Sequence, residues 1–316
     1  MPPFSFHPCV LRDIVEPYRN GKQTETDCDK NIATATCFTV ENRYICATIF
    51  RKVPMDKSSP IAVFDSGMGG LTVLSRIIRL MPCENTVYYA DSAHCPYGPR
   101  PAEQVRELVA RAVDVLMGME AKIVVLACNT ASVAAVDYLR ARYPVDFVAM
   151  EPAVKPAVLT TRTGVVGVLA TRGTVDGAAL ARLRRTWSQA EVVALAGEGL
   201  VEIVESDTED SDEARRLAEL YTGQLLDKGV DRIVLGCTHY PFLRPQIERA
   251  IGGRATVIDP APAVARRVES LLRERGLLND GACEGSRLFL SSLGDYYNRR
   301  LEKKLENYMR IDDTER

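Results

Sequence analysis

The chain has 316 residues, 46 % of them hydrophobic and 26 % charged, with a formal net charge of −2. This is the balance of a soluble globular protein long enough for two domains, and it gives no reason to expect general nucleic-acid binding. No apolar run approaches the roughly 18 residues of a membrane span, and the first residues lack a basic segment followed by an apolar stretch. The nine cysteines are odd in number and widely spaced, with no CxxC pair, and there are only three histidines. That usage fits reduced thiols in a cytosol-like compartment and argues against a structural zinc site.

Residues 1–58 carry charge of both signs, several prolines and four cysteines without a sustained helical period. They read as a poorly ordered N-terminal extension or a start codon assigned too far upstream, with a short strand over Tyr44–Phe50; the alternative is a regulatory appendage. From Pro60 onward short β-branched runs alternate with amphipathic stretches, the pattern of β/α units on a parallel sheet. Strands are expected at Ile61–Asp65, Thr86–Ala90 and Lys122–Ala127, with helices over Leu71–Leu80 and Ala102–Met117 and another from about Thr130. A second series follows: strand Val165–Ala170, helix Val175–Arg185, strand Val192–Ala194, helices Leu200–Glu205 and Asp212–Asp227, strand Arg232–Gly236, and a helix from about Phe242.

The two series echo one another. KIVVLACNTAS (Lys122–Ser132) and DRIVLGCTHYP (Asp231–Pro241) each run from an apolar strand through a small residue and a cysteine into polar residues that open a helix. IAVFDSGMGG (Ile61–Gly70) is likewise echoed by VGVLATRGT (Val166–Thr174). A repeat of about one domain's length implies an α/β fold of two pseudo-symmetric doubly wound domains with parallel-sheet cores facing a shared cleft. The first domain is expected to take residues 59–157 plus 256–308, the second residues 158–255, with 309–316 as a tail. Ligands of such folds sit at the C-terminal strand ends, where both Cys128 and Cys237 fall.

A lone cysteine at a strand end is usually a small core residue. Here each one opens a helix, where free N–H groups and the dipole favour a thiolate and would also bind a carboxylate. Two matched thiols suit inversion of a stereocentre, one removing the Cα proton while the other delivers a proton to the opposite face. A cysteine hydrolase would need one thiol, a base and an orienting group. DSGMGG (Asp65–Gly70) is a glycine-rich strand-to-helix turn that matches neither the dinucleotide nor the Walker spacing. Its glycines suit close backbone approach to a ligand. Asp65, a carboxylate closing an apolar strand, needs a partner. His239 stands beside Cys237 and could orient or charge it, with an acid such as Glu205 holding its ring. CPYG (Cys95–Gly98) reads as a loop able to bind a carboxylate; Cys95 itself has no counterpart in the second series.

DSGMGG at Asp65, PYG at Pro96, ACNTA at Ala127 and GCTHYP at Gly236 together resemble the bacterial glutamate racemases of the aspartate/glutamate racemase superfamily. The motifs run in order from Ile61 to at least Leu272, and the tail RLFLSSLGDYYNRRLEKKLE is similar to that family's closing strand and helix. One departure is Ala196-Gly197-Glu198, where many relatives read Ala-Cys-Pro. The resemblance implies a cofactor-independent enzyme, without metal or pyridoxal phosphate, acting on free glutamate. It implies Cys128 as the acid/base for D-glutamate and Cys237 for L-glutamate, Asp65 assisting Cys128, and His239 with Glu205 assisting Cys237. Asp65, Ser66, Tyr97, Gly98, Asn129, Thr130, Thr238 and His239 would line the substrate site. It further implies D-glutamate supply to peptidoglycan synthesis in a bacterial cytoplasm, and a homodimer as one assembly. The alternatives are an aspartate racemase or decarboxylase of the superfamily, or a non-catalytic amino-acid-binding protein.

Overall fold

The computed structural model describes residues 37–40, 43–46 and 55–314, in two units that divide after Pro54. In the first unit two short strands, β1 (Cys37–Val40) and β2 (Arg43–Cys46), pair antiparallel. The strand expected over Tyr44–Phe50 therefore begins within β2, and residues 47–50, like most of the expected N-terminal extension, lie outside the described residues.

The second unit is built on two parallel sheets. The first contains β3 (Ile61–Asp65), β4 (Thr86–Ala90), β5 (Ile123–Leu126), β6 (Asp146–Ala149) and β11 (Arg287–Ser291), in spatial order β11-β4-β3-β5-β6. The second contains β7 (Val165–Ala170), β8 (Glu191–Ala196), β9 (Arg232–Gly236) and β10 (Thr256–Ile258), in order β10-β9-β7-β8. Taken in chain order, the first four strands of each sheet are wound identically, second–first–third–fourth, and β11 adds an outer strand to the first sheet. The echo in the sequence is thus a repeat of topology. In each sheet the chain leaves its first strand in one direction and returns on the other side as the third, which opens a crevice at their C-terminal ends.

Strand periodicity divides the core. Ile61, Val63, Ile123 and Val125 point into one apolar cluster, and Ala62, Phe64, Val124 and Leu126 into another on the opposite face. Alternating side chains, both sets buried, give the unbroken apolar strands of a sheet covered by helices on both sides. In the second sheet Ile233 and Leu235 join the first of these clusters, while Val234 packs with Val166 and Val168 in a third. One apolar cluster therefore runs through both lobes and fixes the crevices relative to one another.

The N-terminal ends of the first sheet are closed by an ion pair. Lys122 and Glu84 are 2.5 Å apart with fully buried side chains. The Lys122 ammonium also donates to the carbonyls of Lys57 (2.7 Å) and Leu277 (3.0 Å), and Glu84 accepts from the Asn279 N–H (2.7 Å). A buried charge pair is tolerated when its remaining donors and acceptors are met in this way. The pair ties the entry to β3 and the segment leading to β11 onto the sheet.

Several expectations need correcting. The helix expected over Val175–Arg185 is two, Arg172–Val175 and Ala178–Thr186, with Gly177 between them in extended backbone. The helix expected from Phe242 begins as a 3₁₀ turn, Tyr240–Leu243, before Arg244–Ile251, since Pro241 and Pro245 lack the N–H that would continue an α ladder. Residues from 256, expected in the first domain, begin with β10, which pairs with β9 of the second sheet. Among the described residues no helix is long and apolar enough to cross a membrane.

Candidate active site

The residues just beyond the C-terminal ends of β3, β5, β7 and β9 line one cleft. Its lining includes Ser66, Tyr97, Gly98, Cys128, Asn129, Thr130, Cys237, Thr238 and His239, all expected there, with Pro96 of the expected CPYG loop, and Thr171 and Val201, which were not expected. Thr171 follows β7 as Ser66 follows β3, so the internal repeat held the signal that would have found it. Its hydroxyl lies 3.0 Å from that of Thr130.

Cys128 caps the helix Asn129–Arg142: its sulfur accepts the Ala131 N–H at 3.5 Å, and its thiol faces the Ser66 hydroxyl at 3.6 Å. The helix start was expected to favour the thiolate, yet the Cys128 thiol is pushed up to about 12. Burial is the main cause and the nearby Asp65 charge adds to it, together outweighing the Ala131 N–H. Cys128 is a neutral acid in this site.

Cys237 has a different neighbour. Its sulfur lies 3.7 Å from His239 Nδ1, and His239 Nε2 lies 2.6 Å from Glu205 Oε1. Burial alone would lower the imidazole, but bonds to Cys237, Cys95 and Glu205 hold it well above its usual value, so the ring is charged. Glu205 is partly buried, which would raise its carboxyl, yet bonds from His239 and Tyr297 and the Met68 N–H pull it down to about 2. The result is an imidazolium with one ring nitrogen at a carboxylate and the other beside the Cys237 sulfur.

Asp65 departs from its expected place. It is fully buried beneath the cleft and does not line it, because its oxygens accept the Gly67 N–H (2.9 Å) and the Thr238 hydroxyl (3.0 Å). Burial raises its carboxyl to about 6, against the pull of the His239 charge. The Thr238 bond joins the ends of β3 and β9 across the two lobes. Glu205 also stands behind the cleft, in contact with His239 rather than with the open space.

The glycines of DSGMGG make room for these groups. A Cβ on Gly67 would sit 2.0 Å from Glu205 Oε1, and one on Gly69 2.3 Å from His239 Nδ1. The close approach expected toward a ligand is made instead toward the protein's own acid and imidazole, and Met68 between them donates its N–H to Glu205 at 2.8 Å. Cys95 Sγ, a Glu205 oxygen and a His239 nitrogen lie within 4.8 Å of one another, a set of metal-binding atom types. Both Glu205 oxygens are already engaged, however: Oε1 with Met68 and His239, Oε2 with Tyr297.

One cleft residue is unsatisfied. Asn129 is 3 % exposed, yet among the described residues neither Oδ1 nor Nδ2 has a hydrogen-bond partner. Buried amides are rarely left so, and Asn129 lines the same cleft as both cysteines.

Known proteins match this architecture over most of its length. A family model for Asp/Glu/hydantoin racemases matches residues 69–268. A glutamate racemase of Roseiflexus sp. (strain RS-1) is 46 % identical over 238 residues, 75 % of this chain and 88 % of that protein. Among solved structures, glutamate racemase isoform RacE1 from Bacillus anthracis superposes with a TM-score of 0.72 at 32 % identity, covering 80 % of this chain and 94 % of that one. The glutamate racemase of Francisella tularensis, solved with D-glutamate, gives a TM-score of 0.69 at 27 % identity, covering 80 % and 94 %. On these matches, and on the paired strand-end motifs that underlie them, the chain belongs to the Asp/Glu/hydantoin racemase family.

Proposed function

We propose that the protein is a glutamate racemase that interconverts L- and D-glutamate by proton transfer between Cys128, Cys237 and the substrate Cα. The observation that carries this reading is that two buried thiols, each at the end of the third strand of its own sheet, line one cleft. From L-glutamate, Cys237 removes the α-proton with the charged His239 beside it, and Cys128, held as a neutral thiol, protonates the opposite face. The reverse direction starts from the exchanged protonation states. Glu205 keeps His239 charged, and Asp65 acts on Cys128 through its charge rather than by touching the substrate.

Ser66, Tyr97, Gly98, Asn129, Thr130 and Thr238 take the polar groups of glutamate, with the free N–H groups at Asn129 suited to a carboxylate. Both reacting groups are side chains of this chain, so the reading calls for no cofactor or metal. The two sheets, with the boundary after Ile258, are taken as the two domains. The product belongs to peptidoglycan synthesis in a bacterial cytoplasm, and a homodimer is part of the same reading, checked by sedimentation.

Incubation with L-glutamate in D2O without cofactor tests the reaction class. The expected result is decay of optical rotation to zero with deuterium at Cα. Ligand binding without exchange would favour a binding protein, and CO2 release a decarboxylase. The same reaction with aspartate sorts the two racemases, faster turnover of aspartate counting against glutamate.

Asn129→Ala is expected to raise KM about 10- to 100-fold, the worth of one or two hydrogen bonds to a charged ligand. Because Asn129 has no partner to lose, the thermal midpoint of the free protein should hold or rise. Calorimetry alongside steady-state kinetics checks both halves; a lowered midpoint with unchanged KM would assign Asn129 to the fold.

A further inference from the structure

Glu205 is the last residue of the short helix Leu200–Glu205, and its reach to His239 depends on what holds that turn. The groups that do so stand on one face of the C-terminal helix Asp295–Thr314. The Tyr297 hydroxyl donates to Glu205 Oε2 at 2.5 Å, and an Arg300 guanidinium nitrogen donates to the Glu205 carbonyl. Arg300 also bonds Asp207 at 2.9 Å, and Lys304 bonds the other Asp207 oxygen at 2.6 Å. Residues three and four apart on a helix face the same way, so Tyr297, Arg300 and Lys304 grip the turn after Glu205 together. The Arg300 guanidinium lies 5.1 Å from the centre of the Tyr297 ring, pressing it into place. Burial and the Glu205 charge push the Tyr297 phenol up, so its proton stays in place to be donated to Glu205.

We infer that Tyr297 is a positioning residue for the proton transfer at Cys237, fixing the rotation of the Glu205 carboxylate so that Oε1 meets His239 Nε2. Oε1 is claimed by Met68 and His239, but among the bonds described Oε2 has Tyr297 alone. Without that donor the carboxylate can turn about its last bond, and the imidazolium beside Cys237 loses its fixed direction. The inference rests on the proposed role of the His239–Glu205 pair and extends it to the C-terminal helix, which no motif connects with catalysis.

The test is a double-mutant cycle of Tyr297→Phe and Glu205→Gln. Tyr297→Phe keeps the ring under Arg300, so its thermal midpoint should stay within a few degrees of wild type. It should lower kcat about tenfold, the cost of one bond to a charged group, with KM within about twofold. In the Glu205→Gln background the same change should cost nothing more, because a residue acting through Glu205 has nothing left to act on. Wild-type kcat in Tyr297→Phe, a rise in KM alone, or equal losses in both backgrounds overturns the inference. If Tyr297→Phe is silent while Glu205→Gln is impaired, only the tether fails; if Glu205→Gln is itself fully active, the His239–Glu205 reading fails and the tether with it.

Discussion

Replacing either cleft cysteine by serine should cut racemisation by at least about 10³-fold, in the upper part of the range for losing a general acid or base. A hydroxyl is a far weaker acid than a thiol, and serine differs from cysteine by one atom, so the fold should survive. The two variants should nevertheless differ in what they retain. A remaining thiolate can remove the α-proton it faces, exchange it with solvent and return deuterium to the same side without inversion. Cys128→Ser should therefore exchange the α-proton of L-glutamate in D2O, and Cys237→Ser that of D-glutamate, each slowly and with retention. Proton NMR at Cα with chiral analysis reads both. Racemisation within tenfold of wild type in either variant would refute the two-thiol assignment, and loss of the native circular dichroism spectrum would show that the residue serves packing.

A second large effect is expected far from the cleft. Lys122→Met leaves Glu84 charged, buried and without its partner, and removes the donor to two backbone carbonyls. Breaking one side of a buried pair costs about 3–5 kcal/mol, which for a chain of this size lowers the thermal midpoint by roughly 10 °C. Adding Glu84→Leu should recover much of the loss, since an apolar pair of similar volume needs no desolvation. Scanning calorimetry on wild type and the two variants decides the matter. A single variant as stable as wild type would mean that water reaches the carboxylate.

The parts of the molecule that were legible in the sequence are those set by local pattern. Apolar runs such as Ile61–Asp65 and Arg232–Gly236 could be buried only as strands, and two cysteines in matching positions pointed to one cleft. β6 and β10, of four and three residues, are too short to show a period, and their place comes from pairing with β5 and β9. The acidity of Cys128 was misjudged for a related reason. The helix start is visible in the sequence, but the burial and the Asp65 charge that outweigh it arise only when separate strands meet. The bond from Tyr297 to Glu205 left no trace, since the two are 92 positions apart and meet only when the C-terminal helix packs. The glycines of DSGMGG were legible as a turn, whereas the side chains that require them belong to the other lobe.

The identical winding of the two sheets bears on how such a catalyst could arise. A half-length ancestor with four strands and one thiol, associated with a second copy of itself, would have presented equivalent sulfurs to the two sides of a shared ligand. Mirror-image molecules would then have met equivalent chemistry from the outset. Fusion of two such copies would free each half to diverge; His239 stands beside one sulfur and a serine hydroxyl beside the other.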